Sequence, residues 1–245
     1  MRPRWLLIGN SRWHWAAPGD SGPDCWHEPA PGSDAAVAPG RLEGLVAWAA
    51  VGPLAAQARL DADRRLHLEH VPLAGAPPWL GIDRALAAWQ ATVSSGGEAV
   101  LVVDAGTVLS VTLVDAGGRF RGGRLMAGLA LQLRAMADGT ALLPRPGLAD
   151  DTADAAAAEP LWPAATQAAM VSGVRRGLAA AVVAAVIDAP PGPLHLWLTG
   201  GDGAVLLPAI APRLGGRAIT LHHEPDLCLR AMAQLRPVPP LGGFR

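Results

Sequence analysis

The chain has 245 residues, is 51% hydrophobic and carries a formal net charge of −1, so it can bury a sizeable core and has no basic excess to attract nucleic acid or an anionic membrane. All 20 basic residues are arginine, which excludes chemistry that needs a lysine, such as a Walker A phosphate loop or a Schiff base. Cys25 and Cys228 lack metal-type spacing and do not form a disulfide framework, leaving room for at most one long-range bridge. The apolar run Trp5 to Ile8 is too short for a signal core, and the longest apolar stretch is cut by Arg175 and Arg176. The expectation is a soluble, cytoplasmic protein with no membrane or nucleic-acid partner.

In chain order, the run Trp5-Leu6-Leu7 reads as a strand that meets Ile8-Gly9-Asn10-Ser11 and continues into a second strand from Arg12 to Trp15. Leu45 to Val51 and Arg65 to Val71 predict further strands, the latter because Leu66 and Leu68 alternate with His67 and Glu69. Leu54 to Leu60 is a short helix candidate between them. Arg84 to Thr92 predicts a helix with Asp83 at its N-cap, and Ser94-Ser95-Gly96-Gly97 breaks the chain into halves 1–96 and 97–245. Ala99 to Thr112 reads as two strands, Arg119 to Arg124 as a third and Leu129 to Ala137 as a helix. Arg145 to Pro163 reads as an exposed connection and Thr166 to Ile187 as a long helix. Leu194 to Leu198 predicts a strand that ends in Thr199-Gly200-Gly201-Asp202, followed by a helix, a strand at Ala218 to His222 and a closing helix at Asp226 to Leu235.

One device occurs twice. Gly9-Asn10-Ser11 and Asp104-Ala105-Gly106-Thr107 each place a glycine and a hydroxyl residue at the end of an apolar strand, followed by another strand. Glycine lets backbone N–H groups approach a polyphosphate, and the hydroxyl or amide adds a directed bond; taken singly, each is also an ordinary hairpin turn. The halves repeat a similar order of elements, which predicts a duplicated α/β architecture with a ligand between the halves. The histidines do not predict a transition-metal site, because His67 and His70 would lie on opposite faces of a strand and His222-His223 offers one ligand per face. The nine tryptophans fit packing or a dimer face better than base stacking.

Ile8-Gly9-Asn10-Ser11, Gly81-Ile82-Asp83-Arg84, Asp104-Ala105-Gly106-Thr107, Gly122-Gly123, Thr140 to Pro144, Thr166 with Gly173, and Thr199-Gly200-Gly201-Asp202 follow the order and spacing of type III pantothenate kinases. The sequence resembles that family over nearly its whole length, most specifically in the Gly-x-Asp-Arg and Asp-x-Gly-Thr blocks. The resemblance implies two ribonuclease-H-like domains of the actin-like ATPase type with the active site in the cleft between them. It also implies ATP with magnesium as phosphoryl donor, pantothenate as acceptor, a homodimer, and a monovalent cation, potassium or ammonium.

It implies roles as well. Asp83 would be the base that takes the hydroxyl proton, a task that suits a carboxylate at a helix start. Gly81, Ile82, Arg84 and Thr166 would bind pantothenate, Arg84 through its fork of N–H donors. Gly9, Asn10, Ser11, Gly106 and Thr107 would face the ATP phosphates, Gly200 and Gly201 the adenosine end, and Asp104 the monovalent cation. The chain departs from the family's Asp-x-Gly-Asn-Thr motif at Leu7, which removes a carboxylate, and at Ser11, which keeps the hydroxyl. Smaller departures are Val108 after Gly106-Thr107 and Ala127-Gly128 in place of Pro-Gly. Two functional classes therefore stand: an active kinase, or a kinase-like nucleotide- or pantothenate-binding regulatory protein.

Overall fold

The structure is a computed structural model that describes residues 2–32, 37, 38, 40–52, 54, 59–146, 160–216 and 218–238. It divides into two compact units, one formed by Met1–Val93 with Asp226–Arg245 and the other by Ser94–Pro225. The division near residue 94 lies close to the break read at Gly96. The closing helix, assigned from sequence to the 97–245 half, belongs to the first unit instead.

In the first unit, β1 (Arg4–Ile8), β2 (Arg12–Gly19), β3 (Gly22–Pro29) and β4 (Leu45–Ala50) form a sheet of order β3-β2-β1-β4. β1 is antiparallel to β2 and parallel to β4. Alternation along the strands gives one face to Leu6, Ile8, Trp13, Trp15, Leu45 and Trp48, which pack as a core. Helix α5 (Leu227–Leu235) packs on β1, β2 and β3. On the sheet face opposite that core, the Trp5 indole N–H donates to the Arg236 carbonyl at 2.9 Å. Helix α1 (Ile82–Ser94) buries Ile82, Ala85, Leu86, Ala87 and Ala91.

The strand expected over Arg65–Val71 is not formed. Two 3-10 turns, Ala62–Arg64 and Leu68–His70, occupy this region, and only Arg65 bridges to the sheet, at Trp48. The Asp61 carboxylate accepts the Asp63 N–H at 3.0 Å and His70 Nδ1 accepts the His67 N–H at 2.9 Å. These local bonds engage amides that a strand would offer to a neighbour. The rings of His67 and His70 consequently lie 5.8 Å apart rather than on opposite faces. Residues 55–58 of the helix expected over Leu54 to Leu60 lie outside the described residues.

The second unit repeats the first sheet and adds a strand. β5 (Val100–Ala105), β6 (Val108–Val114), β7 (Phe120–Ala127), β8 (Leu194–Thr199) and β9 (Ile219–His223) run in the order β7-β6-β5-β8-β9. β5 is antiparallel to β6 and parallel to β8, as β1 is to β2 and β4. Leu101, Val103, Leu109, Val111, Leu196 and Leu198 face α2 (Leu129–Asp138), α3 (Thr166–Asp188) and α4 (Gly203–Ile210). Helix α3 is long and apolar enough to cross a membrane by length and composition, but Met170, Val174, Leu178 and Val182 are buried in this core. Of the connection read over Arg145 to Pro163, 147–159 lie outside the described residues. Cys25 and Cys228 are not joined in a disulfide.

Candidate active site

In the first unit the turn between β1 and β2 is closed by the Gly9 N–H donating to the Arg12 carbonyl at 2.9 Å, which leaves Asn10 and Ser11 exposed at its tip. The chain leaving β4 runs against this turn. Val51 and Gly52 N–H both donate to the Ile8 carbonyl, and a Cβ on Gly52 would stand 2.1 Å from the Gly9 carbonyl oxygen. Only a glycine fits there. Leu7, where the family motif has aspartate, is buried and stands opposite His14 across the β1–β2 ladder.

A cavity of about 390 Å³ opens in the same unit between the end of β4 and the start of α1, lined by Val51, Arg65, His67, Gly81, Ile82 and Asp83 among others. Gly81 is the cap of α1, since its carbonyl accepts the Ala85 N–H at 3.1 Å. Asp83 therefore lies inside the first turn rather than at the N-cap. Its Oδ1 folds back to accept the Arg84 N–H at 2.8 Å, and a Cβ on Gly81 would come within 2.6 Å of that oxygen. The Cys228 thiol of α5 donates to the Asp83 carbonyl at 3.4 Å, tying the helix start to the closing helix.

Burial pushes the Asp83 carboxyl above its ordinary value, while the Arg84 N–H bond and guanidinium charge pull the other way. Burial likewise lowers the Arg84 guanidinium, and the Asp83 charge opposes this. A desolvated carboxylate at a cavity wall is a better proton acceptor than an exposed one.

The sequence does not point to the two ionisable residues that line this cavity with Asp83, namely Arg65 and His67. Arg65 stacks its guanidinium 5.0 Å from the Trp48 ring centroid, an arrangement legible only once β4 and the following coil are brought together.

In the second unit Asp104 is the penultimate residue of β5, opposite Thr199 of β8 and Ser110 of β6. Gly200 has φ +83, and a Cβ there would meet Asp104 Oδ1 at 2.5 Å and the Ala105 carbonyl oxygen at 2.6 Å. The Asp202 N–H donates to that same carbonyl at 2.9 Å. The structure thus brings Asp104, Gly200 and the start of α4 together. Gly201 is exposed, and a Cβ on it would meet nothing within 4 Å.

The turn Gly106-Thr107 is buttressed by Gly128, whose N–H donates to the Thr107 carbonyl at 3.0 Å and whose Cβ would stand 1.9 Å from the Gly106 oxygen. Thr166 is exposed at the first residue of α3. Gly9, Asn10, Ser11, Gly81, Ile82, Asp83 and Arg84 belong to the first unit, and Asp104, Gly106, Thr107, Thr166, Gly200 and Gly201 to the second.

Among the described residues no three His, Cys, Asp or Glu side chains gather to hold a metal ion by themselves.

His14 is held neutral, its pKa lowered from 6.5 to about 4 by burial first, then by the charges of His27 and Arg12. The unfolded chain takes up this proton near pH 6.5 and the folded chain only near 4, so the stabilisation is complete above 6.5 and is lost as pH falls through that window. Melting temperature measured from pH 7 down to 4 is expected to fall less steeply in His14→Phe than in the wild type. Parallel curves would show that His14 does not carry the effect.

A family model for type III pantothenate kinase matches residues 64–188. The chain is 37% identical over 219 residues to the type III pantothenate kinase of Synechococcus elongatus, covering 82% of this chain and 85% of that protein. It is 38% identical over 246 residues to that of Synechococcus sp. strain JA-3-3Ab, covering 95% and 92%. Among solved structures, the activator of 2-hydroxyisocaproyl-CoA dehydratase from Clostridium difficile with bound ADPNP superposes with a TM-score of 0.53 at 15% identity, over 96% of this chain and 93% of that one. That similarity is one of fold, the actin-like ATPase type.

Proposed function

This chain belongs to the type III pantothenate kinase family, and on that premise we propose that Asp83 is the general base of its reaction and that the cavity beside it receives pantothenate. The reaction is the ATP-dependent phosphorylation of pantothenate to 4'-phosphopantothenate, the first step of coenzyme A biosynthesis. The observation that carries the assignment is the half-buried Asp83 carboxylate, with its raised pKa, in the wall of a cavity that also includes Gly81 and Ile82.

In this reading the primary hydroxyl of pantothenate attacks the γ-phosphorus. The new O–P bond forms as the bond to the β–γ bridging oxygen breaks, ADP leaves, and the hydroxyl proton passes to Asp83. Arg84 pairs with the acceptor's carboxylate through its planar fork, and Thr166 adds a hydroxyl contact. Gly9, Asn10 and Ser11, and likewise Gly106 and Thr107, are turns whose backbone N–H and hydroxyl donors are assigned to the phosphates. Gly200 and Gly201 leave room for the adenosine end. Magnesium, when bound with ATP, neutralises charge on the β- and γ-phosphates.

Asp104 is assigned to a monovalent cation, potassium or ammonium, and its approach to Gly200 and the Ala105 carbonyl supports this by gathering oxygens at one point. The family also suggests a cytoplasmic homodimer, expected to elute at twice the 25.2 kDa of one chain in light-scattering chromatography.

The test is phosphorylation of pantothenate by the purified protein with ATP and magnesium, in potassium or ammonium against sodium. Turnover that requires potassium or ammonium and falls in Asp104→Asn supports the assignment. Equal turnover in sodium removes the cation role from Asp104. Nucleotide binding with no turnover in any salt would move the protein to the regulatory class.

A further inference from the structure

The second unit is one continuous segment, Ser94–Pro225, and its two ends are joined through side chains of β8 and β9. Near its start, Ser95 Oγ accepts the Trp197 indole N–H at 2.9 Å, and Glu98 Oε2 is hydrogen-bonded to His195 Nε2 at 2.8 Å. Near its end, His222 Nε2 is hydrogen-bonded to His195 Nδ1 at 2.8 Å, and the Trp197 ring stacks on the His222 ring, centroids 4.1 Å and planes 11° apart. Trp197 and His222 are partners in the parallel β8–β9 ladder. Both project on the face opposite Leu196 and Leu198, which point into the core.

The His195 and His222 ring centroids lie 5.1 Å apart, with planes 7° apart. That separation is the nitrogen–nitrogen distance plus the two ring radii. The rings therefore meet edge to edge in one plane, with the two nitrogens pointing straight at each other. A metal ion between them would need about 2.0–2.1 Å to each nitrogen, more than the 2.8 Å gap allows, so the bridging atom is a hydrogen. A neutral imidazole carries one N–H and an imidazolium two. One hydrogen between the facing nitrogens can be supplied when both rings are neutral or when one is charged. With both charged, two hydrogens face each other and the bond is lost. The count holds for either tautomer.

Among the described residues of this unit, Glu98 and His195 are the ionisable groups that face His222. β5 sets Val100 and Val102 beside His195 and Trp197, and its Asp104 lies further along, opposite Thr199. His223 turns to the other face, its Nε2 3.1 Å from the position of a Cβ on Gly203, and α4, which packs there, has no ionisable side chain. Burial first, then the His195 charge, lowers the His222 pKa from 6.5. The folded chain takes up this proton at lower pH than the unfolded chain, so the stabilisation is complete above 6.5 and is lost as pH falls below it.

We propose that Glu98, His195, Trp197 and His222 form a proton-operated clasp on the two ends of the second unit, closed while the histidine pair carries at most one extra proton and opened by the next. Closed, it ties residues 95–98 to β9, an edge strand whose ladder partner is β8 alone. Opened, β9 and the 95–98 segment fray separately.

The test is amide hydrogen exchange of the full chain at about pH 7.5 and about pH 5, on either side of the ordinary histidine range, corrected for the intrinsic pH dependence of exchange. Acid is expected to raise exchange at 95–98 and 219–223 by roughly two- to tenfold, the worth of one hydrogen bond, and to leave β5 and β6 unchanged. In His222→Gln the amide can still bond to His195 but takes up no proton, and the acid response at both ends is expected to vanish. No acid response in the wild type, a response shared by the whole unit, or one that persists in His222→Gln overturns the proposal.

A second measurement does not depend on the variant folding. In wild-type protein labelled with 15N-histidine, a coupling between His195 Nδ1 and His222 Nε2 across the shared hydrogen is expected at neutral pH, and it should vanish over the same acid range in which exchange rises. No coupling at neutral pH, or a coupling that survives the acid range, overturns the proposal.

Discussion

Asp83→Asn is expected to lower turnover of pantothenate by about 10²- to 10⁴-fold, the usual cost of losing a positioned general base, while ATP affinity stays at the wild-type value. The substitution is isosteric, and the amide oxygen can still accept the Arg84 N–H bond that now holds the carboxylate at 2.8 Å. Charge and basicity are removed with little change in shape. Steady-state kinetics and ATP titration check the two halves of the expectation. A pH profile checks them together, since burial raises the Asp83 carboxyl above its ordinary 3.8 and so moves the acid limb of the wild-type rate upward. The limb should disappear in the variant. Retention of wild-type turnover by Asp83→Asn would exclude Asp83 as the base.

Gly128→Ala is expected to be the most disruptive single-methyl change. The added carbon would stand 1.9 Å from the Gly106 carbonyl oxygen and 3.0 Å from that of Thr107, both backbone atoms, so no rotamer change relieves the clash. Either the Gly106-Thr107 turn or the entry to α2 must move. Overpacking of this kind costs about 1–3 kcal/mol, occasionally more, and it should weaken ATP binding because the displaced turn is the one assigned to phosphate. Gly215→Ala, outside the candidate site, is the control: a Cβ there meets nothing within 4 Å, and its effect should stay within about 0.5 kcal/mol. Denaturant unfolding and ATP titration of the two variants decide the matter. Equal stability and equal ATP affinity would show that the turn tolerates displacement. Gly52→Ala is the matching change in the first unit, 2.1 Å from the Gly9 oxygen.

Strands were legible where apolar runs end in glycine and a hydroxyl residue. Trp5 to Ile8 and Ala99 to Val103 were read this way, and both became the strands that carry the turns. Arg65 to Val71 misled because alternation of Leu66 and Leu68 is a strand signal, yet Asp61 and His70 spend their acceptors on local amides. β3 passed unread for the opposite reason. Gly22–Pro29 is largely exposed and has no apolar alternation, and it exists because β2 offers it a ladder.

The glycines of the candidate site were visible as turn residues, but the reason they must be glycine was not. Gly52 and Gly128 are needed because a distant backbone oxygen lies where their Cβ would be. His14 could be placed on one face of a strand from Trp13 and Trp15, but its partner His27 could not, because it stands on an unread strand.

The return of α5 to the first unit also sets an order of events during synthesis. β1 to β4 leave the ribosome early, yet the helix that packs on β1, β2 and β3 is made only after the whole second unit. Ser94–Pro225, by contrast, is one continuous segment that can fold as soon as it has emerged. At translation rates of roughly 5–20 residues per second, the earliest part of the chain waits on the order of ten seconds for its last piece. A nascent chain stopped before Asp226 would carry a completed second unit tethered to a tryptophan-rich sheet with one face bare, the kind of surface that chaperones retain and that aggregates when they do not.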